Sequence, residues 1–167
     1  MAQDLFHLAA RVIADVKWFA CSINDIEREL NDENGECEKE CEHSIPDEFG
    51  NEAIVTLRLN INCKSKYPQG WTIALKMHGT RIDGIDWHAT FTDPEGQKHN
   101  GWHRHHYNAK AKTADHTRYP VQGFDNLDGD AMGRYRFLIR ALKEMRMTLD
   151  ANDNGQDKLQ FSQTIID

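Results

Sequence analysis

The 167-residue chain is expected to fold as an α+β domain, and three observations lead there. Residues 1–30 repeat apolar side chains at helical spacing. Residues 53–108 alternate with the period of strands and are joined by short turns. A second helical stripe follows residue 130. The expected architecture is a long N-terminal helix, a four-stranded antiparallel meander sheet and a C-terminal helix packed on that sheet.

The first helix rests on Leu5, Leu8, Ala9, Val12, Ile13, Val16, Phe19, Ile23, Ile26 and Leu30, whose three- and four-residue steps build one apolar stripe. Asn31 to Gly35 stops it. Residues 31–52 are acidic, carry Pro46 and Gly50 and show no period, so they read as a loop. Ala53–Ile61 then alternates and is rich in β-branched residues. Tyr67-Pro68-Gln69-Gly70 is a turn into Trp71–Met77, and a third strand runs from Arg81 to Thr92. Asp93-Pro94-Glu95-Gly96 turns into a fourth strand, Gln97–Tyr107. Connections this short require antiparallel neighbours.

With Pro94 and Glu95 at the turn tip, Thr92 faces Gln97, Trp87 faces Trp102 and Asp86 faces His103. One face then carries Ile85, Trp87, Phe91, Trp102 and Arg104, and the other Asp86, His88, His103 and His105. Residues 109–149 supply a polar stretch, an ordered loop over Arg118–Phe124, and a helix capped by Asp128 or Asp130 and running to Leu149. The tail, residues 150–167, alternates weakly over Leu159–Ile165, which fits an edge strand or a partner contact. Nothing divides the chain into a second domain.

The net charge of −7 argues against a protein that coats nucleic acid nonspecifically, yet the charge is uneven. Residues 25–52 are strongly acidic, whereas Lys98 to Arg146 is basic, so one face could meet phosphates while the other repels them. No apolar run reaches the roughly 20 residues of a membrane span. The N-terminus lacks the features of a signal peptide, so a cytoplasmic protein away from membranes is expected. Cys21 and Cys63 read as small buried hydrophobes. Cys37 and Cys41, in Cys37-x-x-x-Cys41-x-His43, read as free thiols in a solvated loop or as part of a zinc site.

The densest chemistry lies between Asp86 and Arg118, where six of the nine histidines fall. Histidine exchanges protons near neutral pH and is the commonest metal ligand. One reading is metal-independent cleavage of RNA, with no cofactor. His103 or His105 would act as base and His106 or His116 as acid, with Arg104 and Arg118 holding the phosphorane charge. Trp102, Tyr107, Lys110, Lys112 and Tyr119 would bind the substrate. An alternative is a metal site built from Asp86, His88, His103 and His105, since two histidines and a carboxylate make an open ligand set. The plain reading is a polar strand face whose imidazoles bond to neighbours. There is no phosphate-cradling glycine loop, no nucleophile elbow and no helical His-Glu-x-x-His.

Residues 85–96, Gly101-Trp102-His103-Arg104-His105-His106-Tyr107-Asn108, His116 and Tyr119-Pro120-Val121 together resemble the TumE-like toxins of bacterial toxin–antitoxin operons. The resemblance spans roughly Ile54 to Leu149. It departs at His103-Arg104, where the family has Asp-Asn, and in the N-terminal helix and acidic loop. It implies a growth-blocking toxin that cuts RNA and is held by an antitoxin, and it singles out Trp102, His105, His106 and His116. A different class of function rests on the acidic half: a non-catalytic inhibitor, encoded by a phage or plasmid, that occupies a nucleic-acid-binding partner.

Overall fold

The computed structural model describes residues 2–15, 17–46, 50–65 and 67–150; the expected contribution of Leu159–Ile165 lies outside them. Among the described residues the fold is α+β with three helices and a six-stranded antiparallel sheet, two strands more than expected. In chain order the elements are α1 (Ala2–Ala14), β1 (Lys17–Ser22), α2 (Ile23–Leu30), β2 (Glu36–Pro46), β3 (Glu52–Asn62) and β4 (Thr72–Met77). They continue with β5 (Thr80–Thr92), β6 (Lys98–His106), β7 (Arg118–Pro120), α3 (Ala131–Glu144) and β8 (Met147–Asp150). The sheet runs β2-β3-β4-β5-β6-β7, and β1 pairs with β8 as a separate parallel ribbon.

The single long N-terminal helix is corrected to helix, strand, helix. Lys17 to Cys21 alternate buried and exposed side chains, and their strand pairs with β8, far along the chain. Ser22 restarts the helix as an N-cap, its hydroxyl accepting from the Asp25 amide at 3.3 Å. Phe19 and Ile23 fit a helical stripe only by coincidence of spacing. Lys17 is buried at the break and donates to the carbonyls of Val12 (2.8 Å) and Asp15 (2.7 Å) at the end of α1.

The acidic loop is corrected as well. Glu36–Pro46 is a strand, paired along its length with β3. Glutamates take every second position and hide the period. Between them Cys37 and Cys41 point inward and are buried. Cys41 is disulfide-bonded to Cys21, which ties the β1–β8 ribbon to the sheet and replaces the expected pair of free thiols in a loop. Cys37 and Cys63 remain free and buried.

One sheet face carries the core. Val55, Leu57, Leu59 and Ile61 of β3, Ile73, Leu75 and Met77 of β4, Ile85 of β5 and Trp102 of β6 pack with Ile26 and Leu30 of α2 and with Phe137, Leu138 and Ala141 of α3. Arg134 is the buried charge of that layer; it donates to the carbonyls of Leu30 and Gly129, both at 2.8 Å, and so caps α2. Helix α3 stops at Glu144, short of the expected Leu149, because Met147–Asp150 leaves to form β8. Arg118–Pro120, expected as loop, is the last strand of the sheet.

Candidate functional site

The second sheet face is polar, part-exposed over β3 and β4 and buried at Asp86, His103 and His105. Alternation puts Arg58 and Asn60 of β3, Thr72 and Lys76 of β4, Asp86 of β5, His103 and His105 of β6 and Arg118 of β7 on this face. Across β5 and β6 the observed register pairs Asp86 with His103 and Trp87 with Trp102, as the turn position predicts. Nearer the turn it slips. Thr92 faces Lys98 rather than Gln97, and an irregularity between His88 and Phe91 turns Phe91 onto the histidine face. There its ring lies 4.4 Å from that of His103 and 5.3 Å from that of His99.

Asp86 is the hub. Its Oδ1 is 2.5 Å from His103 Nε2, both its oxygens are 3.1 Å from His105 Nε2, and Arg81 reaches Oδ2 at 3.4 Å. His103 is 0% and His105 1% exposed, so the imidazoles lie beneath the surface rather than on it. The other nitrogen of each ring turns to the backbone: His105 Nδ1 donates to the Ala114 carbonyl at 2.9 Å, and His103 Nδ1 to the Gly101 carbonyl at 3.3 Å. Burial works to raise the Asp86 pKa. The hydrogen bonds and charges of His103 and His105 outweigh it and hold the carboxyl well below the usual range.

His88 forms the exposed edge of this group, its ring 5.0 Å from His103. Gly101, opposite His88, has no side chain to separate the rings. Partial burial pulls the His88 pKa down, Asp86 opposes this, and His103 and Arg118 add to it. Beside the hub, Arg81 forms part of the wall of a groove of about 380 Å³ lined also by Arg58, Asn60, Thr72, Lys76 and Asp115. Arg58 and Lys76 bring two further cations to it.

The expected catalytic set is divided by the strand pleat. His103, His105 and Arg118 share the polar face. Arg104 points to the other side, where it holds Asp83 through two hydrogen bonds of 2.9 and 2.8 Å and reaches the Glu144 carbonyl at the end of α3. His106 is also on that side, against Tyr119 at 4.8 Å between ring centroids, and burial pulls its pKa down. His116 is exposed in the segment between β6 and β7. Arg104, His106 and His116 therefore do not join the site.

Among the expected substrate binders, Trp102 is core: it is 7% exposed and stacks on Phe137 at 4.9 Å, with Phe124 and Trp71 beside it. Tyr119 follows His106 to the covered side, and Tyr107 packs partly buried against the core. Lys110 and Lys112 are exposed in the loop after β6. Arg81, Arg58 and Lys76 are the residues that the sequence reading passes over. For Arg58 and Lys76 a signal existed in the strand alternation, which sets them on the face opposite the core. Arg81 sits at a register shift between β4 and β5, which no local pattern marks.

No family model, curated protein or solved structure matches this chain. The likeness to TumE-like toxins therefore rests on the quoted residues alone. Among the described residues, no helix is long and apolar enough to cross a membrane.

Proposed function

We propose that the chain is a toxin-like ribonuclease, restrained by an antitoxin, whose reacting centre is the polar sheet face. The observation that supports this is the junction of the Asp86–His103–His105 hub with a groove edged by Arg58, Lys76 and Arg81. RNA cleavage by the 2'-hydroxyl needs a base that takes its proton, cations for the phosphorane and a proton for the departing 5'-oxygen, which the protonated base or solvent at the exposed edge returns. His88 is the exposed imidazole of the group, and its lowered pKa keeps it in the neutral form that a base requires. Arg81 and Lys76 hold the phosphate from the groove side and Arg118 from the other. The buried His103 and His105 act as positioning residues for Asp86. A cytoplasmic location belongs to this reading; there the Cys21–Cys41 pair would be kept as thiols.

The test is cleavage of labelled RNA by the purified protein, alongside growth of cells that express it. Cutting that is lost in His88→Ala and in Arg81→Ala, with growth restored, supports the reading. Intact RNA together with undisturbed growth removes it.

A second reading, a non-catalytic inhibitor, is favoured by a different observation. Glu36, Glu38, Glu40 and Glu42 project to one side of β2, an edge strand of the sheet, at intervals of about 7 Å. Such a regular row of carboxylates fits a basic groove built for phosphates, although Arg58 already engages Glu38 at 2.9 Å. Retention of a nucleic-acid-binding protein from bacterial lysate, abolished by Glu36→Lys with Glu40→Lys, would put this reading first.

A further inference from the structure

We propose that Asp86, His103 and His105 bind one divalent transition-metal ion of the zinc type, and that Arg81 occupies its place when the ion is absent. A carbonyl oxygen only accepts, so the bonds to Ala114 and Gly101 put a hydrogen on Nδ1 of both histidines. Each Nε2 then either offers a lone pair or, in the imidazolium, holds a proton toward Asp86 that a metal ion would displace on binding. Both nitrogens face the Asp86 carboxylate, which has only lone pairs to offer. His103 Nε2 is fully buried and faces Asp86 Oδ1 at 2.5 Å. With neutral rings, four acceptor atoms thus converge on one buried point, and a cation between them satisfies all of them.

The arrangement has the features of a ligand set. Each imidazole is fixed by a backbone carbonyl on its far nitrogen, which sets the tautomer and aims Nε2 inward, as second-layer partners of metal-bound histidines do. One atom from each of the three residues lies within 4.8 Å of the others. Around a tetrahedral ion with bonds of about 2.1 Å the donor atoms stand about 3.4 Å apart, so the His103–Asp86 pair must open from 2.5 Å and the widest pair must close by about 1 Å. Paired strands hold all three residues, and the ligand count leaves a fourth position open.

Arg81 explains how the hub persists without an ion. Its guanidinium is 3.4 Å from Asp86 and 3.2 Å from His105 Nε2, where it supplies some of the missing hydrogens. Its side chain also lines the groove, so it has room to withdraw when the ion enters. It is a placeholder and competes with the metal.

The inference rests on this geometry and not on RNA cleavage. The full chain is stripped with chelator and titrated first with Zn²⁺ and then with Co²⁺, whose absorption reports its ligands. One ion per chain is expected, with a Co²⁺ spectrum free of thiolate charge transfer. His103→Gln and Asp86→Asn are expected to lose the ion while keeping the circular dichroism of the parent. Arg81→Ala, outside the ligand set, is expected to bind roughly tenfold more tightly. No ion at equimolar Zn²⁺, a thiolate band, or weaker binding in Arg81→Ala overturns it. A chain that holds zinc and leaves RNA intact keeps this inference and loses the ribonuclease; one that cuts RNA and takes up no ion does the reverse.

Discussion

The β5–β6 hairpin carries a buried aspartate on each of its faces, and the two are treated differently. Asp83, on the covered side, takes two short hydrogen bonds from Arg104, whose remaining nitrogen reaches Glu144 at the end of α3. Donors and acceptors match, and the pair ties sheet to helix. Asp86, three residues on, faces two imidazole nitrogens and a guanidinium at a longer 3.4 Å. With neutral imidazoles, lone pairs outnumber hydrogens there. A satisfied buried pair holds structure, whereas an under-supplied one marks a place where something else is meant to bind.

If that contrast is right, substitutions on the two faces should separate stability from function. The largest effect is expected from Trp102→Ala, which removes a ring 7% exposed and packed against three aromatic neighbours. It should cost about 4–5 kcal/mol, read from the denaturant midpoint. His88→Ala, on the polar face one rung away, should change stability by less than about 0.5 kcal/mol. Equal losses in the two variants would erase the distinction.

The aspartates give the next test. Asp83→Ala leaves Arg104 partly buried without its main partner, at a cost of about 3–4 kcal/mol. Asp86→Asn should cost less than half of that, since an amide can donate a hydrogen to a waiting Nε2 and still accept from Arg81. Thermal or chemical unfolding of both proteins side by side decides it. A larger loss for Asp86→Asn would make the hub structural.

The covered face has a further support in the Cys21–Cys41 bond. It closes a loop of sequence separation 20, for which chain entropy gives about 3 kcal/mol. Cys21→Ser should lose about that much in oxidised protein, and nothing once the parent is itself reduced. An unchanged midpoint in both would mean that the bond does not form in solution.

These contrasts follow the limits of what the sequence makes legible. Strands β3 to β6 could be read because β-branched residues alternate in them and because Asp93-Pro94-Glu95-Gly96 fixes a turn, with Gly96 at a positive φ of 86°. That register brings Asp86 and His103 together. Strand β1 could not be read, since its partner lies near Met147 and only the tertiary fold supplies it. In β2 charge masked the period. Density groups His103, Arg104, His105 and His106 into one catalytic set, although the strand alternation already sets Arg104 on the face opposite His103 and His105. Phe91 reached the histidine face through an irregularity with no sequence mark.

The smallest effect expected in the parent protein is on the alkaline side, where opposing groups of the covered face nearly cancel. Burial, with the nearby Glu29, pushes the Cys37 thiol up to about 12 from an ordinary value of 9.0, and burial raises Cys63 too. A raised pKa means that the folded state favours the neutral thiol. Its contribution is complete below pH 9 and drains away as pH climbs toward 12, where the unfolded chain ionises first. Tyr135, pushed up by burial to about 12, loses stability in the same direction. Lys17 acts oppositely: burial draws it down to about 8, so from pH 8 to 10.5 the unfolded chain holds more protons and stability rises. Denaturant curves from pH 8 to 11 should therefore be nearly flat in the parent protein. They should fall steeply in Lys17→Met, which keeps only the thiol and phenol contributions. They should rise in Cys37→Ser, whose hydroxyl does not ionise in this range. A parent curve unaltered by either substitution would mean that Lys17 and Cys37 are open to water, and the covered face would then be less closed than the core packing requires.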